Sequence, residues 1–212
     1  MDKDTLVSFW RDKIRKEVLE AFNTVPREEF VPLELKSKAY EDVPLPIPRN
    51  KTISQPSTVL IMTEALELKK GQKVLEVGTG SGYQAALVGK LIDSGKLITT
   101  EVIPELVAFA KNNIAKLGIK NVKIIETDGS QGYEEEAPYD RIIVTAAAPG
   151  TPLKLLDQLK QGGIMVAPVG NLDTQQMIKY VKHEGYIEQN VLGEFVFSPM
   201  LGKYGFDEEK LT

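Results

Sequence analysis

Cysteine is absent from the 212 residues, and histidine occurs once, at His183. A chain without thiols has no disulfide, no thiolate nucleophile and no Cys/His zinc cluster. A Ser-His-Asp triad would have to use His183, where a strand-like run from Tyr180 meets a turn at Gly185; that is a place for a solvated side chain. Chemistry that depends on imidazole or thiol is therefore not expected. A surplus of positive charge is also missing: 26 Lys and Arg face 30 Asp and Glu, a net charge of −4. Counterion-releasing attraction to nucleic acid needs clustered Lys and Arg, so nucleic acid is not an expected partner. No apolar run approaches the roughly 20 residues of a membrane span, and Met1-Asp2-Lys3-Asp4 does not open a signal peptide. No membrane partner and a cytoplasmic location are the expectations. With 42% hydrophobic residues the chain can build a substantial core, and its length suits a single domain, 1–212.

The most informative stretch is Lys73-Val74-Leu75-Glu76-Val77-Gly78-Thr79-Gly80-Ser81-Gly82-Tyr83. Val74, Leu75 and Val77 read as a buried strand that breaks into glycines, and Ala85, Ala86, Leu87, Leu91 and Ile92 follow at helical spacing. Strand, glycine loop, helix is how an α/β sheet brings a nucleotide-like ligand against its backbone. A dinucleotide fingerprint would require glycine at position 83, where Tyr83 stands, which argues against a nicotinamide oxidoreductase. Glycines at 78, 80 and 82 with Glu76 before them resemble instead the loop of S-adenosyl-L-methionine (AdoMet) methyltransferases. A sulfonium cation does not need the helix dipole that a pyrophosphate uses.

Along the chain, Leu6, Trp10, Ile14, Val18 and Phe22 form an i, i+4 ladder that predicts one helix over 4–22. The run 39–56, with Pro44, Pro46, Pro48 and Pro56, is expected to be neither helix nor central strand, and to cover the active site as a loop. Residues 1–56 thus read as a helical and substrate-loop region, 57–170 as the cofactor-binding core, and 171–212 as C-terminal strands and tail. Within the core, helices are expected at 57–68, 83–92, 104–117 and 152–160, the last with Thr151 as N-cap. Strands are expected at 73–77, 96–102, 122–127, 141–145 and 164–167, and three more strand-like segments at 175–182, 186–192 and 194–198. Alternation of strand and helix means parallel strands. The fold class is therefore α/β: a Rossmann-like class I methyltransferase fold, mostly parallel, with helices on both faces and an antiparallel C-terminal finish.

Open α/β sheets bind ligands beyond the carboxyl ends of their strands. There the sequence places Gly78, Thr79, Gly80 and Ser81 after the first core strand, and Glu101 at the end of the second. Glu101 follows the glycine loop by about 20 residues, the place of an acceptor for both ribose hydroxyls. Asp128-Gly129 follows the third strand, where a carboxylate can receive an adenine amino group, and Thr145 opens a run of small residues after the fourth. With Glu76, these are the candidate cofactor-binding residues, and AdoMet is the expected cofactor, leaving as S-adenosyl-L-homocysteine. No metal is expected.

At this point the chain resembles the protein-L-isoaspartate O-methyltransferase family over most of its length. The resemblance is carried by Arg27-Glu28-Glu29-Phe30-Val31-Pro32, Pro44-Leu45-Pro46-Ile47, Ile53-Ser54-Gln55-Pro56, Asp128-Gly129-Ser130-Gln131-Gly132-Tyr133, Ala137-Pro138-Tyr139-Asp140-Arg141-Ile142 and Gly163-Ile164-Met165-Val166-Ala167-Pro168. It implies methyl transfer from AdoMet to the free α-carboxylate of L-isoaspartyl residues in damaged proteins and peptides. The ester then returns through a succinimide to normal aspartate. It also implies that Ser54 is the active-site residue, that Thr52 helps to hold the substrate, and that Phe195-Val196-Phe197 lies along the substrate backbone. Ser198-Pro199-Met200 stands where relatives often read Val-Pro-Leu. A carboxylate is already ionised at neutral pH, its reference pKa being about 4, so the reaction needs no general base, in keeping with the scarcity of histidine. A methyltransferase for RNA or a small molecule, and an AdoMet-binding scaffold without catalysis, remain the alternatives. The Thr52–Pro56 segment and the acidic charge balance favour a peptide.

Overall fold

The computed structural model describes residues 2–207; Met1 and 208–212, the two ends of the expected 1–212 span, lie outside the described residues. The N-terminal ladder forms two helices rather than the single one expected, α1 (Lys3–Trp10) and α2 (Lys16–Thr24). The break is made by Arg15, whose backbone is extended at ψ 143°. Its backbone N–H and its Nε each donate to the Glu64 carboxylate at 2.9 Å. An ion pair across 49 residues thus interrupts the local hydrogen-bond ladder, while Leu6, Ile14, Val18 and Phe22 all remain in the core.

The proline-rich run, expected to be neither helix nor central strand, lies outside the main sheet and contains a small antiparallel hairpin, β1 (Leu45–Ile47) with β2 (Lys51–Ile53). Its turn is made by Arg49 and Asn50, both at positive φ (63° and 53°), the conformation of a type I′ turn that fits the twist of a hairpin. Helix α3 (Pro56–Ala65) follows with proline in its first turn, where the missing N–H is harmless.

The core then alternates: β3 (Lys73–Val77), α4 (Tyr83–Ile92), β4 (Lys96–Glu101), α5 (Pro104–Lys116), β5 (Val122–Glu126), β6 (Tyr139–Val144), α6 (Leu153–Asp157) and β7 (Leu159–Gly170). Helix α6 is shorter than the expected 152–160, and Thr151 is not its N-cap; Pro152 holds that position without a side-chain cap. Strand β7 begins early because Gln158 is recruited by the preceding loop, accepting from Tyr133 N at 2.9 Å and donating to Gln131 O at 2.8 Å. Two strands complete the chain, β8 (Gln175–His183) and β9 (Tyr186–Phe195), where three segments were expected. The gap at Gly193 is an irregularity opposite Met177/Ile178 within one strand, and 196–198 leave the sheet.

The seven strands lie in the order β5-β4-β3-β6-β7-β8-β9, parallel as far as β7 and antiparallel beyond it. Alternate side chains of the central strands feed opposite faces. Val74, Ile143, Ile164 and Val166 join α1 to α5 in one cluster. Leu75, Val77, Ile142, Val144 and Met165 join Leu155, Leu156 and Met200 in the other. Strand order reverses at β3, with β4 on one side and β6 on the other. The carboxyl ends of β3 and β6 therefore diverge into a crevice, the place where sheets of this topology hold ligands. Among the described residues no helix is long and apolar enough to cross a membrane.

Candidate active site

The crevice opens into a cleft of about 1210 Å³, its mouth included, lined by the 78–81 loop, the end of β4, strand β2 with Ser54, Gln55, Thr58 and Val59, and residues 196–201. Its floor is the glycine loop. Gly78 has φ +97°, and a Cβ there would stand 2.7 Å from Thr145 Oγ1, so the close approach of the two strand ends requires glycine. Gly82 caps α4 in a left-handed conformation (φ 85°), against Ala110 and Ile114 of α5. The loop hydroxyls serve the loop itself. Thr79 and Thr99 share a hydrogen bond of 2.7 Å, and Thr145 Oγ1 donates toward Gly78 O at 2.5 Å. Asn113 Nδ2 donates to Ser81 O at 3.1 Å.

Among the described residues Glu101 is the one carboxylate in the lining. Its Oε2 accepts from Gly80 N at 2.9 Å, and its Oε1 from Val102 N and Ile103 N at 2.9 and 3.1 Å. A carboxylate offers about four lone-pair positions, so three amides orient it and leave capacity for a ligand hydroxyl. Thr52, Ser54, Gly129, Thr145, Val196 and Phe197 line the same cleft as Gly78, Thr79, Gly80, Ser81 and Glu101. Residues drawn from six separated parts of the sequence are thus brought together.

Three of the expected site residues stand elsewhere. Glu76 lies beneath the loop, fully buried and outside the lining, and among the described residues neither carboxylate oxygen has a hydrogen bond of good geometry. Burial pushes its carboxyl up to about 8; the Thr99 hydroxyl offsets part of that, and the negative Glu101 adds to it. Asp128 is engaged by its own chain rather than open to a ligand. It accepts from Ser130 N and Oγ (2.9 and 2.6 Å), Gln131 Nε2 (3.0 Å) and Lys203 N (2.9 Å). Partial burial opposes its ionisation, but these hydrogen bonds outweigh that and hold it below the usual carboxylate range. Phe195, the last residue of β9, packs on the core edge, with its ring centroid 6.4 Å from that of Phe197.

Sequence reasoning missed the strap that closes the far side. After β9 the chain is pinned by Phe197 N to Gln175 Oε1, by Ala147 N to Ser198 O and by Met200 N to Ala147 O, each at 2.8 Å. It then crosses to Asp128 and Ser130, bringing Met200 and Leu201 into the lining. Ser130 was visible as part of the Asp128–Tyr133 block; nothing in its residue type announced a partner 74 residues away. Tyr83, read only as a missing glycine, is a buried wall of the cleft, with its ring 5.3 Å from Phe30 and Arg27 over its face at 5.2 Å. Burial lowers the Arg27 guanidinium to about 10.

The donor set suits AdoMet. One anchored carboxylate beside the glycine loop matches a ribose diol and tolerates a cation, and Val102, Ile103, Leu106 and Met200 provide apolar walls for a flat base. A pyrophosphate would meet the Glu101 charge and has no third glycine at Tyr83. Sheet order, glycine loop and cleft together define a Rossmann-like, class I AdoMet methyltransferase.

Comparison with known proteins narrows this. Residues 2–205 match the family described as protein-L-isoaspartate(D-aspartate) O-methyltransferase, and the chain belongs to that family. A protein-L-isoaspartate O-methyltransferase from Methanopyrus kandleri is 52% identical over 194 residues, covering 90% of this chain and 86% of that protein. One from Hyperthermus butylicus is 49% identical, covering 92% and 86%. A solved protein-L-isoaspartate O-methyltransferase superposes with a TM-score of 0.86 at 32% identity, over 96% of this chain and 67% of the other. A structure from Plasmodium falciparum, described as a putative enzyme of this kind in complex with S-adenosyl-L-homocysteine, gives 0.83 at 26% identity over 95% and 99%.

Proposed function

We propose that this enzyme methylates the free α-carboxylate of L-isoaspartyl residues in damaged proteins and peptides, with AdoMet held along Gly78–Ser81, Glu101 and Gly129. The observation that carries the site assignment is that Thr52 and Ser54 line the same cleft as Gly80 and Glu101. Family membership supports the reaction. AdoMet, when bound, supplies the methyl group of its sulfonium.

The chain's own residues orient and dehydrate. The Ser54 hydroxyl donates to the substrate carboxylate and fixes one oxygen for attack; with no base beside it, it is not itself the nucleophile. The half-buried hairpin and the 196–201 strap form the two walls that exclude water, so the acceptor carboxylate loses its hydration only inside the cleft. Holding reactants in line in this way accounts for a large part of such a barrier. Val196 and Phe197 supply the wall along which the peptide backbone lies. The product ester leaves and closes to a succinimide without help from the enzyme. We place the protein in the cytoplasm, with peptides and proteins, rather than nucleic acid or membrane, as its partners; the net charge of −4 supports this.

The test is incorporation of labelled methyl from AdoMet into a synthetic isoaspartyl peptide, beside the same peptide with normal aspartate. Labelling confined to the isoaspartyl peptide is expected. Ser54→Ala should lower kcat/KM by about ten- to a hundred-fold, the worth of a hydrogen bond to a charged group, and leave S-adenosyl-L-homocysteine binding unchanged. Equal labelling of both peptides would overturn the substrate assignment, and an unaltered Ser54→Ala rate would remove Ser54 from the site.

A further inference from the structure

Among the described residues the cleft is lined by one cationic side chain, and none of them neutralises it. Of the lining residues only Lys51 and Glu101 carry charge. Glu101 is turned to three backbone amides, which hold it in place without the ammonium. Lys51 has no ion pair among the described residues, although its neighbour in the turn, Arg49, reaches Glu105 at 3.8 Å.

Strand alternation shows which way Lys51 faces. In the hairpin it pairs directly with Ile47, and Ile53 with Leu45, so these four side chains share one face while Pro46 and Thr52 share the other. Leu45, Ile47 and Ile53 are buried and Thr52 is exposed, so Lys51 belongs to the inner face. That face lies over the cofactor loop: the position of a Cβ on Gly80 is 3.7 Å from Ile47 Cδ1. A cation on an otherwise apolar inner face gives up part of its hydration and gains nothing from the folded chain. The loss is recovered when an anion occupies the cleft.

We propose that Lys51 is a ligand-binding residue of this cleft that takes a carboxylate, a specificity role separate from that of Ser54. The inference rests on the reading of the cleft as an AdoMet and peptide site. That reading supplies carboxylates from two sources: the amino-acid end of the cofactor, and the peptide. The ammonium pairs with whichever carboxylate comes to the inner face beside Gly80, and its strand phase sets it apart from the neighbouring Thr52.

The experiment compares the wild-type protein with Lys51→Gln and Lys51→Glu in two arms. Calorimetry measures binding of S-adenosyl-L-homocysteine beside 5′-methylthioadenosine, which lacks the carboxylate. Steady-state methylation measures KM for isoaspartyl peptides carrying either Glu or Gln next to the target residue. If the cofactor is the source, Lys51→Gln weakens S-adenosyl-L-homocysteine by about three- to ten-fold, between an exposed ion pair and a buried charged hydrogen bond, and spares methylthioadenosine. If the peptide is the source, cofactor binding is unchanged, and the wild type's preference for the Glu peptide disappears in Lys51→Gln and reverses in Lys51→Glu. Unchanged cofactor affinity together with an unchanged peptide preference in both variants overturns the proposal. A wild-type protein that neither binds S-adenosyl-L-homocysteine nor methylates any peptide overturns the reading beneath it, and the proposal with it. Among the described residues Lys51 makes no side-chain hydrogen bond or ion pair, so both variants should keep the wild-type melting temperature.

Discussion

Replacing Glu76 by glutamine should remove most of the pH dependence of stability between pH 5.5 and 8.5. The carboxyl is fully buried, its oxygens have no hydrogen bond of good geometry among the described residues, and its pKa is raised from 4.5 to about 8. An unpartnered buried charge is poorly tolerated, so the folded protein holds Glu76 as the neutral acid at pH 7. The unfolded chain, by contrast, releases that proton above about pH 4.5. Between the two values the unfolded state binds fewer protons, so stability falls as pH rises from 4.5 and levels off above 8. Integrating between pH 5.5 and 8.5 gives a loss of about 3 kcal/mol for the wild type. Other shifted groups leave this window clear. Asp128, Asp140 and Glu67 are held low and lose their contribution only as pH falls below about 4.5. Arg27 acts only as pH approaches 10. Urea unfolding without cofactor at pH 5.5, 7 and 8.5 is the assay. The wild-type free energy should decline and that of Glu76→Gln, which keeps the shape without the proton, should stay nearly flat. Parallel curves would refute the reasoning and mean that Glu76 is ionised in the fold.

Two further outcomes follow from the site. Glu101→Ala removes the acceptor that three amides orient, and should weaken S-adenosyl-L-homocysteine by about ten- to a hundred-fold in calorimetry; unchanged affinity would dismiss it as the ribose partner. His183 stacks on Tyr186 and meets Glu188 at 3.1 Å in the β8–β9 turn, so His183→Gln should leave kcat and KM unaltered, and a large loss would mean that the reaction uses an imidazole after all.

The alternation of strand and helix was legible because it rests on local apolar periodicity. The spans 73–77 and 83–92 coincide with β3 and α4. The glycine loop and Glu101 were equally plain, since each stands at the end of a short continuous strand. Legibility failed where a distant partner decided the local conformation. The ladder from Leu6 to Phe22 is unbroken in sequence, yet Glu64 captures Arg15 and splits the helix. Asp128 looked free for a ligand because its strap partner, Lys203, is 75 residues away. The hairpin at 45–53 was hidden by its prolines, although Pro46 on a two-stranded ribbon loses no bond that a central strand would need. Glu76 shares a short strand with apolar residues, and neither its type nor its spacing reveals that it lies under the loop rather than beside the ligand.

The strap also makes the cleft depend on the last-made part of the described chain. Strands β3 to β7 require nothing beyond residue 170 to pair, and they carry the glycine loop and Glu101. Ala147, Asp128 and Ser130 wait for Ser198 to Tyr204 before that side of the cleft is walled. Domains generally fold as units, so a chain stopped short of the strap would carry the loop with one wall of the cleft missing. Retention on immobilised S-adenosyl-L-homocysteine would then sort finished chains from those stopped short of the strap, although both contain every residue of the glycine motif.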